Sequence, residues 1–151
     1  MIQRIQSIYL LITAILTFLV IKFPLMEFVT GENVIYHVNV LGVYVDNHLE
    51  YSVWVLLVLS IMNILIATGT ILLFKKRILQ IRLSVFNILL ITGFYIMFGV
   101  YYWILRENFS PEIINFKWTV TLPVINIVLS YLAIRATGKD EAMIKALDRL
   151  R

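Results

Sequence analysis

The sequence contains no cysteine and only 3 prolines and 6 glycines among its 151 residues. Without cysteine the chain can form neither a disulfide bond nor a thiolate metal site, and it cannot use a thiol in catalysis. Charged residues are also scarce, at 15%, whereas hydrophobic residues make up 61%. A mean hydropathy of +0.91 is too high for an ordinary soluble domain. We therefore expect the chain to fold in lipid.

Four long apolar segments hold most of the hydrophobic residues, at positions 5–23, 52–74, 83–105 and 118–136. Each has roughly the 20 residues that a helix needs to cross a bilayer core about 30 Å thick. The second and third segments contain no charged residue, and a short basic link joins them, so they should be antiparallel neighbours. The sequence thus predicts an all-α membrane protein, a bundle of four transmembrane helices forming a single membrane domain over residues 1–151.

Residues 24–50 form an outer loop with strand character. β-Branched and aromatic residues are dense between Val34 and Val45, and Gly42 can turn the chain between two short strands. We expect a small extracytoplasmic β-hairpin here.

Residues 139–151 form a tail of different character. Met143, Leu147 and Leu150 fall on one helical face opposite charged residues, and Gly138 can cap the preceding span. The tail is therefore expected to be a short, separate amphipathic helix on the inner membrane surface or on a partner.

The distribution of charge predicts the orientation. Ten of the 13 Lys and Arg residues form one group, which comprises the N-terminus, the link, the tail and Arg135 at the end of the fourth segment; only Lys22, Arg106 and Lys117 fall outside it. The positive-inside rule places that group, and hence both termini, in the cytoplasm. Because the basic residues stand at the ends of apolar segments, they indicate topology signals, and we expect no nucleic-acid partner.

Polar residues recur inside the apolar segments at helical spacing. We expect them to face inward and hold the helices together, because buried amides and small residues favour helix contacts in lipid. The alternative is a polar cavity that binds a lipid headgroup or a small molecule. No charged residue lies well inside a segment, which argues against ion transport by this chain alone. The predicted helix-packing polar residues are Ser60, Asn63, Asn87, Asn126 and Ser130.

No catalytic or phosphate-binding motif is present, and we expect no enzyme activity and no cofactor. His37, Asp46, His48 and Glu50 are ligand types for zinc, but their spacing matches no known site, so we expect no metal. An active site would require outer groups such as Tyr36, His37, His48 and Tyr102 to converge in space.

Both ends of the chain and its central link carry distinctive motifs. These are MIQRIQSIYLL at 1–11, LQIRL at 79–83, LAIRA at 132–136, KDEA at 139–142 and DRLR at 148–151. With them the whole chain resembles small four-helix membrane proteins of Bacteroidota, the domain-of-unknown-function family 4293. The resemblance implies a bacterial inner (cytoplasmic) membrane and supplies no activity or catalytic residues.

The same motifs suggest a cytoplasmic interaction face. We expect a non-enzymatic accessory or structural subunit of a cell-envelope complex of the secretion, insertion or motility type, with membrane lipids and one or more membrane proteins as partners. The alternative is a stand-alone binder of a lipid or hydrophobic small molecule in the bundle. A roomy polar pocket would favour the binder, and a packed interior would favour the subunit. The predicted face comprises Gln3, Arg4, Gln6, Lys75, Lys76, Arg77, Gln80, Arg82, Arg135, Lys139 and Arg149.

Overall fold

The computed structural model describes residues 3–31, 34–46, 48–73 and 76–149, with side chains from residue 5 to residue 143. Four long helices dominate it: α1 (Gln3–Lys22), α2 (Trp54–Leu72), α3 (Arg77–Phe109) and α4 (Leu122–Arg149), the last preceded by a 3₁₀ turn (Trp118–Thr121). All four are long and apolar enough to cross a membrane. The prediction of four apolar helices is therefore confirmed.

The helices meet along seams that repeat every seven residues. Buried positions alternate between steps of four and three, which is the spacing of helices that pack side by side with a small left-handed crossing angle. These positions are Gln6, Leu10, Thr13, Thr17 and Val20 on α1; Leu56, Ser60, Asn63, Ala67 and Thr70 on α2; Gln80, Ser84, Asn87, Ile91, Phe94, Phe98, Tyr101 and Leu105 on α3; and Asn126, Ser130, Ala133, Thr137 and Asp140 on α4.

The outer surface of the helices is apolar. Large hydrophobic side chains such as Ile8, Leu65, Leu89 and Val128 are each about half exposed or more. Many of the seam residues, by contrast, are polar. A soluble bundle has the opposite arrangement, because water would solvate the polar side chains and drive the apolar ones inward. This inverted polarity is what lipid as a solvent favours.

A five-stranded antiparallel sheet covers one end of the bundle, which we call the sheet end. Its strands are β1 (Met26–Val29), β2 (Ile35–Val38), β3 (Gly42–Val45), β4 (His48–Ser52) and β5 (Ile113–Phe116), in the order β4-β3-β2-β1-β5. The predicted β-hairpin was therefore too small, and the chain is not all-α. The prediction missed three of the five strands, β1, β4 and β5. Of these, β5 lies between α3 and α4 and pairs with β1. This long-range pairing joins the strands between α1 and α2 to the strand between α3 and α4 in one sheet.

The sheet packs on the helices through the alternate residues of its strands. Met26 and Phe28 of β1 are buried. The Phe28 ring stacks on Tyr36 at 4.7 Å between centroids and also contacts Phe109 at the end of α3. Together with apolar residues from α1, α2 and α3, they form one hydrophobic core beneath the sheet. The sheet is thus rigidly joined to the bundle.

Helix α4 continues without a break through the predicted tail. Gly138 lies inside the helix and, like every glycine in the described part of the chain, has no positive φ. The predicted separate amphipathic helix is therefore wrong over residues 139–149. The physical reason is that the buried positions of α4 continue on both sides of Gly138, at Thr137 and Asp140, so the helix gains contacts by continuing.

Candidate functional site: the polar interior of the bundle

The five residues predicted to pack the helices are all buried, each at most 4% exposed. Two of them, Asn63 of α2 and Asn126 of α4, meet Thr17 of α1. The Thr17 Oγ1 atom lies 3.0 Å from Asn63 Oδ1 and accepts a hydrogen bond from Asn126 Nδ2, also at 3.0 Å. This contact joins three helices in the middle of the bundle. The role of Thr17 could be read only once the helices were assembled.

A second polar contact lies at the opposite end from the sheet, which we call the tail end. Gln6 Nε2 donates to Asp140 Oδ2 at 2.9 Å, and an Arg77 guanidinium N–H donates to the Asp140 carbonyl oxygen at 3.3 Å. The contact joins α1, α3 and α4. Asp140 is 8% exposed, so it is a buried residue within α4.

Part of the predicted interaction face is buried at the tail end, so the prediction is wrong for those residues. Gln6 and Gln80 are 3% and 2% exposed and lie inside the bundle, so no partner can reach them directly. Arg77 is half-buried. Lys75 and the side chains of Gln3, Arg4 and Arg149 lie outside the described residues. The exposed members of the predicted face are Lys76, Arg82, Arg135 and Lys139.

The two contacts are the ends of a continuous polar region that we call the polar column. Its members are nearly all below 5% exposed, and Asp140 is the most exposed of them. The polar column comprises Gln6, Thr13, Thr17, Ser60, Asn63, Thr70, Gln80, Ser84, Asn87, Asn126, Ser130, Thr137 and Asp140.

Towards the sheet end the interior becomes apolar. The seams continue with Val20, Leu56, Phe94, Phe98 and Leu105, which belong to the core beneath the sheet. The polar column therefore begins at the tail end and stops near the middle of the bundle. The bundle interior is thus polar in one half and apolar in the other.

A small cavity lies where the two halves meet. Its volume is about 20 Å³, and Thr17, Ser60, Asn63 and Asn126 supply its polar lining. Sites that bind small molecules usually measure about 300 Å³ or more, so this cavity has room for a water molecule and not for a lipid headgroup.

A larger and more open groove of about 350 Å³ lies on the sheet, lined by Pro24, His37, Asn39, Leu41 and Tyr44. Beside it, Glu27 accepts from Lys117 Nζ at 2.7 Å and contacts His37 Nδ1 at 3.1 Å. The hydrogen bond from Lys117 lowers the pKa of the Glu27 carboxyl group, against a smaller opposing effect of burial, and the charges of Lys117 and His37 add to the lowering. This group connects β1, β2 and the end of β5.

At the sheet end, the polar residues that an active site would require do not come together at one place. Tyr36 is held between Phe28 and Phe109, Tyr102 contacts Phe116, and His37 contacts Glu27. In the part of the chain that the structure describes, no three His, Asp or Glu side chains lie close enough together to hold a metal ion.

The spacing of polar residues in the sequence indicates that α4 continues into the tail, although it does not show which residues meet. Asn126, Ser130, Ala133, Thr137 and Asp140 keep steps of four and three, so the sequence pattern of α4 already runs through Gly138. Gln6 and Thr13 have the same spacing on α1.

Comparison with known proteins agrees with the resemblance drawn from the motifs. A family model described as "Domain of unknown function (DUF4293)" matches residues 2–150 and so includes the whole polar column. No curated protein matches the chain. Because the match covers nearly every residue, the chain belongs to the DUF4293 family.

Proposed function

We propose that this protein is a non-enzymatic accessory or structural subunit of a cell-envelope membrane complex, of the secretion, insertion or motility type. The supporting observation is a contrast in packing. The cavity lined by Thr17, Asn63 and Asn126 between the described helices measures only about 20 Å³, whereas the sheet leaves apolar side chains exposed. Such a protein offers little room for a ligand between its helices but has apolar surface for a partner.

The edges of the sheet are the favoured docking surface. Leu49 on β4 and Ile113 on β5 are 54% and 55% exposed, and β4 and β5 are the two edge strands. An edge strand presents free backbone N–H and C=O groups that a strand of another chain can pair with. Backbone pairing with exposed aliphatic side chains beside it is therefore the recognition mode that fits this sheet.

We also propose the bacterial inner membrane, in an organism of the Bacteroidota, with both termini in the cytoplasm and the sheet outside. All five strands lie at one end of the bundle, and the exposed basic residues Lys76, Arg82, Arg135 and Lys139 belong to the other end. Basic side chains at a helix end can contact anionic lipid headgroups. Membrane lipids are thus proposed as partners at the tail end.

A stand-alone binder is the second candidate, and one observation favours it. The groove of about 350 Å³ on the sheet has the volume of a small-molecule site, although it is wide open. In this case the ligand would bind outside the bundle and not between the helices.

The test is gentle purification from native membranes through a small C-terminal tag, followed by mass spectrometry of the proteins and lipids that are retained. A subunit should retain a protein partner in stoichiometric amount. The variant Leu49→Lys/Ile113→Lys, which charges both sheet edges, should lose that partner. Ile35→Lys changes an exposed residue of β2, an interior strand of the sheet, and should keep it. Recovery of the protein alone with one specific lipid or small molecule would instead support the binder.

A further inference from the structure

Asn126 has a buried acceptor that no described residue satisfies. Its Nδ2 atom donates to Thr17 Oγ1 at 3.0 Å, whereas its Oδ1 atom has no hydrogen-bond partner among the described residues. Thr17 donates to the Thr13 carbonyl oxygen at 2.9 Å, and turning the Asn63 amide over places its Nδ2 atom 3.0 Å from Thr17 Oγ1 as a second donor to that hydroxyl. Turning the Asn126 amide over instead would bring an acceptor to a hydroxyl whose one proton is already used. The site therefore lacks a donor for Asn126 Oδ1.

A water molecule bound in the cavity beside these atoms can supply the donor. Thr17, Asn63 and Asn126 all line it, and its volume of about 20 Å³ exceeds the roughly 10–15 Å³ that one water molecule needs. A water molecule can donate a proton to Asn126 Oδ1, and its oxygen can accept a hydrogen bond as well. Water thus fits both the size and the donor deficit of the cavity.

A second unbalanced position lies one helical turn towards the tail end. Asn87 is completely buried, and neither its Nδ2 nor its Oδ1 atom has a partner among the described residues; the same holds for Ser130 Oγ. Asn87 is four residues from Ile91, which lines the cavity, and Ser130 is four residues from Asn126. An unpaired buried amide costs several kcal/mol in lipid, so both positions require a small molecule that donates and accepts.

Among the described residues, a run of buried polar side chains leads from these positions to the tail end. Gln80, Ser84, Thr137 and Asp140 continue the polar column from Asn87 and Ser130 to the tail end. On the other side of the cavity the interior is closed by apolar residues, Val20, Leu56 and Phe94 among them. We propose that the polar column binds a short chain of water molecules that is reached from the tail end and stops at the cavity beside Asn126.

The test is transfer of magnetisation from water to amide protons in ¹⁵N-labelled protein held in lipid nanodiscs, observed by NMR. Rotating-frame cross-relaxation, which differs in sign from proton exchange, is expected at the side-chain amides of Asn126 and Asn87. It should be absent at the backbone amides of Leu56 and Phe94. Absence of transfer at the two asparagines, or equal transfer at Phe94, would overturn the proposal.

A variant tests the direction of access. Asn87→Leu replaces the polar group on the route with an apolar one of similar size, and transfer to Asn126 should be lost or greatly reduced. Val85→Leu changes an exposed position on the same helix and should leave transfer unchanged. Unaltered backbone spectra of the sheet would show that Asn87→Leu is folded. Undiminished transfer to Asn126 in that folded variant would refute access through the polar column.

Discussion

Glu27 shows how single residues hold the sheet together. It lies on β1, faces His37 on β2 and Asn115 on β5 in the strand register, and binds Lys117 just after β5. Its side chain is 20% exposed, so the ion pair is partly shielded from water. One carboxylate thus stabilises the junction between two segments of the sheet end that are 90 residues apart in the sequence and in contact in the fold.

We expect this carboxylate to make stability depend on acid pH. Its pKa is lower in the folded protein than the ordinary value of 4.5, so ionised Glu27 stabilises the fold above that pH, and the contribution is lost as the pH falls below it. The loss should be about 0.5–1 kcal/mol, as for a partly exposed ion pair. Thermal unfolding between pH 6 and pH 3, read by circular dichroism in detergent, measures it; these pH limits bracket about 1.5 units on each side of the ordinary value.

Two variants serve as controls for Glu27. Glu27→Gln and Lys117→Met should each be less stable than the wild-type protein near neutral pH and should differ less from it in acid. If the difference between Glu27→Gln and the wild type is the same at every pH, the ionised carboxyl group is not what stabilises the junction.

At the scale of elements, two glycines have different roles: Gly138 lies within a continuous helix, whereas Gly42 lies where two strands approach closely. Gly138 is inside α4, and a Cβ atom added there meets nothing within 4 Å. At Gly42, where β3 leaves the turn from Asn39, a Cβ atom would lie 2.9 Å from the Tyr51 carbonyl oxygen and would overlap the Leu49 side chain. The two positions should therefore respond to alanine in opposite directions.

We expect Gly138→Ala to raise the free energy of unfolding by about 0.5–1 kcal/mol, because alanine favours a helix interior. Gly42→Ala should lower it by about 1–3 kcal/mol, since the neighbouring strand must move. Thermal unfolding of the two variants in the same detergent is the measurement. A Gly138→Ala variant that loses stability would mean that the glycine ends a helix, as the sequence first suggested.

The length of α3 is also decided at this scale. The apolar segment predicts a span of residues 83–105, but α3 runs from Arg77 to Phe109. Its additional turns carry Gln80 into the polar column and Phe109 under the sheet. Hydropathy marks the part of a helix that is in lipid, whereas packing against neighbours determines where the helix ends.

For the whole molecule, the main prediction concerns its orientation in the membrane. We expect Leu49→Cys, on the sheet, to react with a membrane-impermeant maleimide from the outside of the inner membrane. Arg82→Cys, at the tail end, should react only after the membrane is opened. Both side chains are exposed, and the natural chain has no cysteine, so each label reports a single position.

The reverse pattern, with Arg82→Cys labelled in intact cells, would contradict the orientation derived from the Lys and Arg residues. It would also place the sheet and its edges in the cytoplasm. The proposal of an envelope partner at the sheet would then fail, whereas the water chain, which depends only on the bundle interior, would not.

The sequence by itself determined the helices that can enter lipid and the polar residues that repeat along them. Both follow from local properties. A segment of about twenty apolar residues is long enough to cross the bilayer core as a helix. A seven-residue repeat places Ser60 and Asn63, or Asn126 and Ser130, on one side of a helix. The charge distribution is equally local, and it suffices to predict an orientation.

Only the tertiary structure decided which of these residues meet. The pairing of β5 with β1, the Gln6–Asp140 hydrogen bond and the hydrogen bond from Asn126 to Thr17 each join parts of the chain that are far apart in sequence. Short strands such as β5 carry little signal of their own, because four residues become a strand only when a partner supplies hydrogen bonds. The buried position of Asp140 likewise depends on α1 and α3 closing around α4.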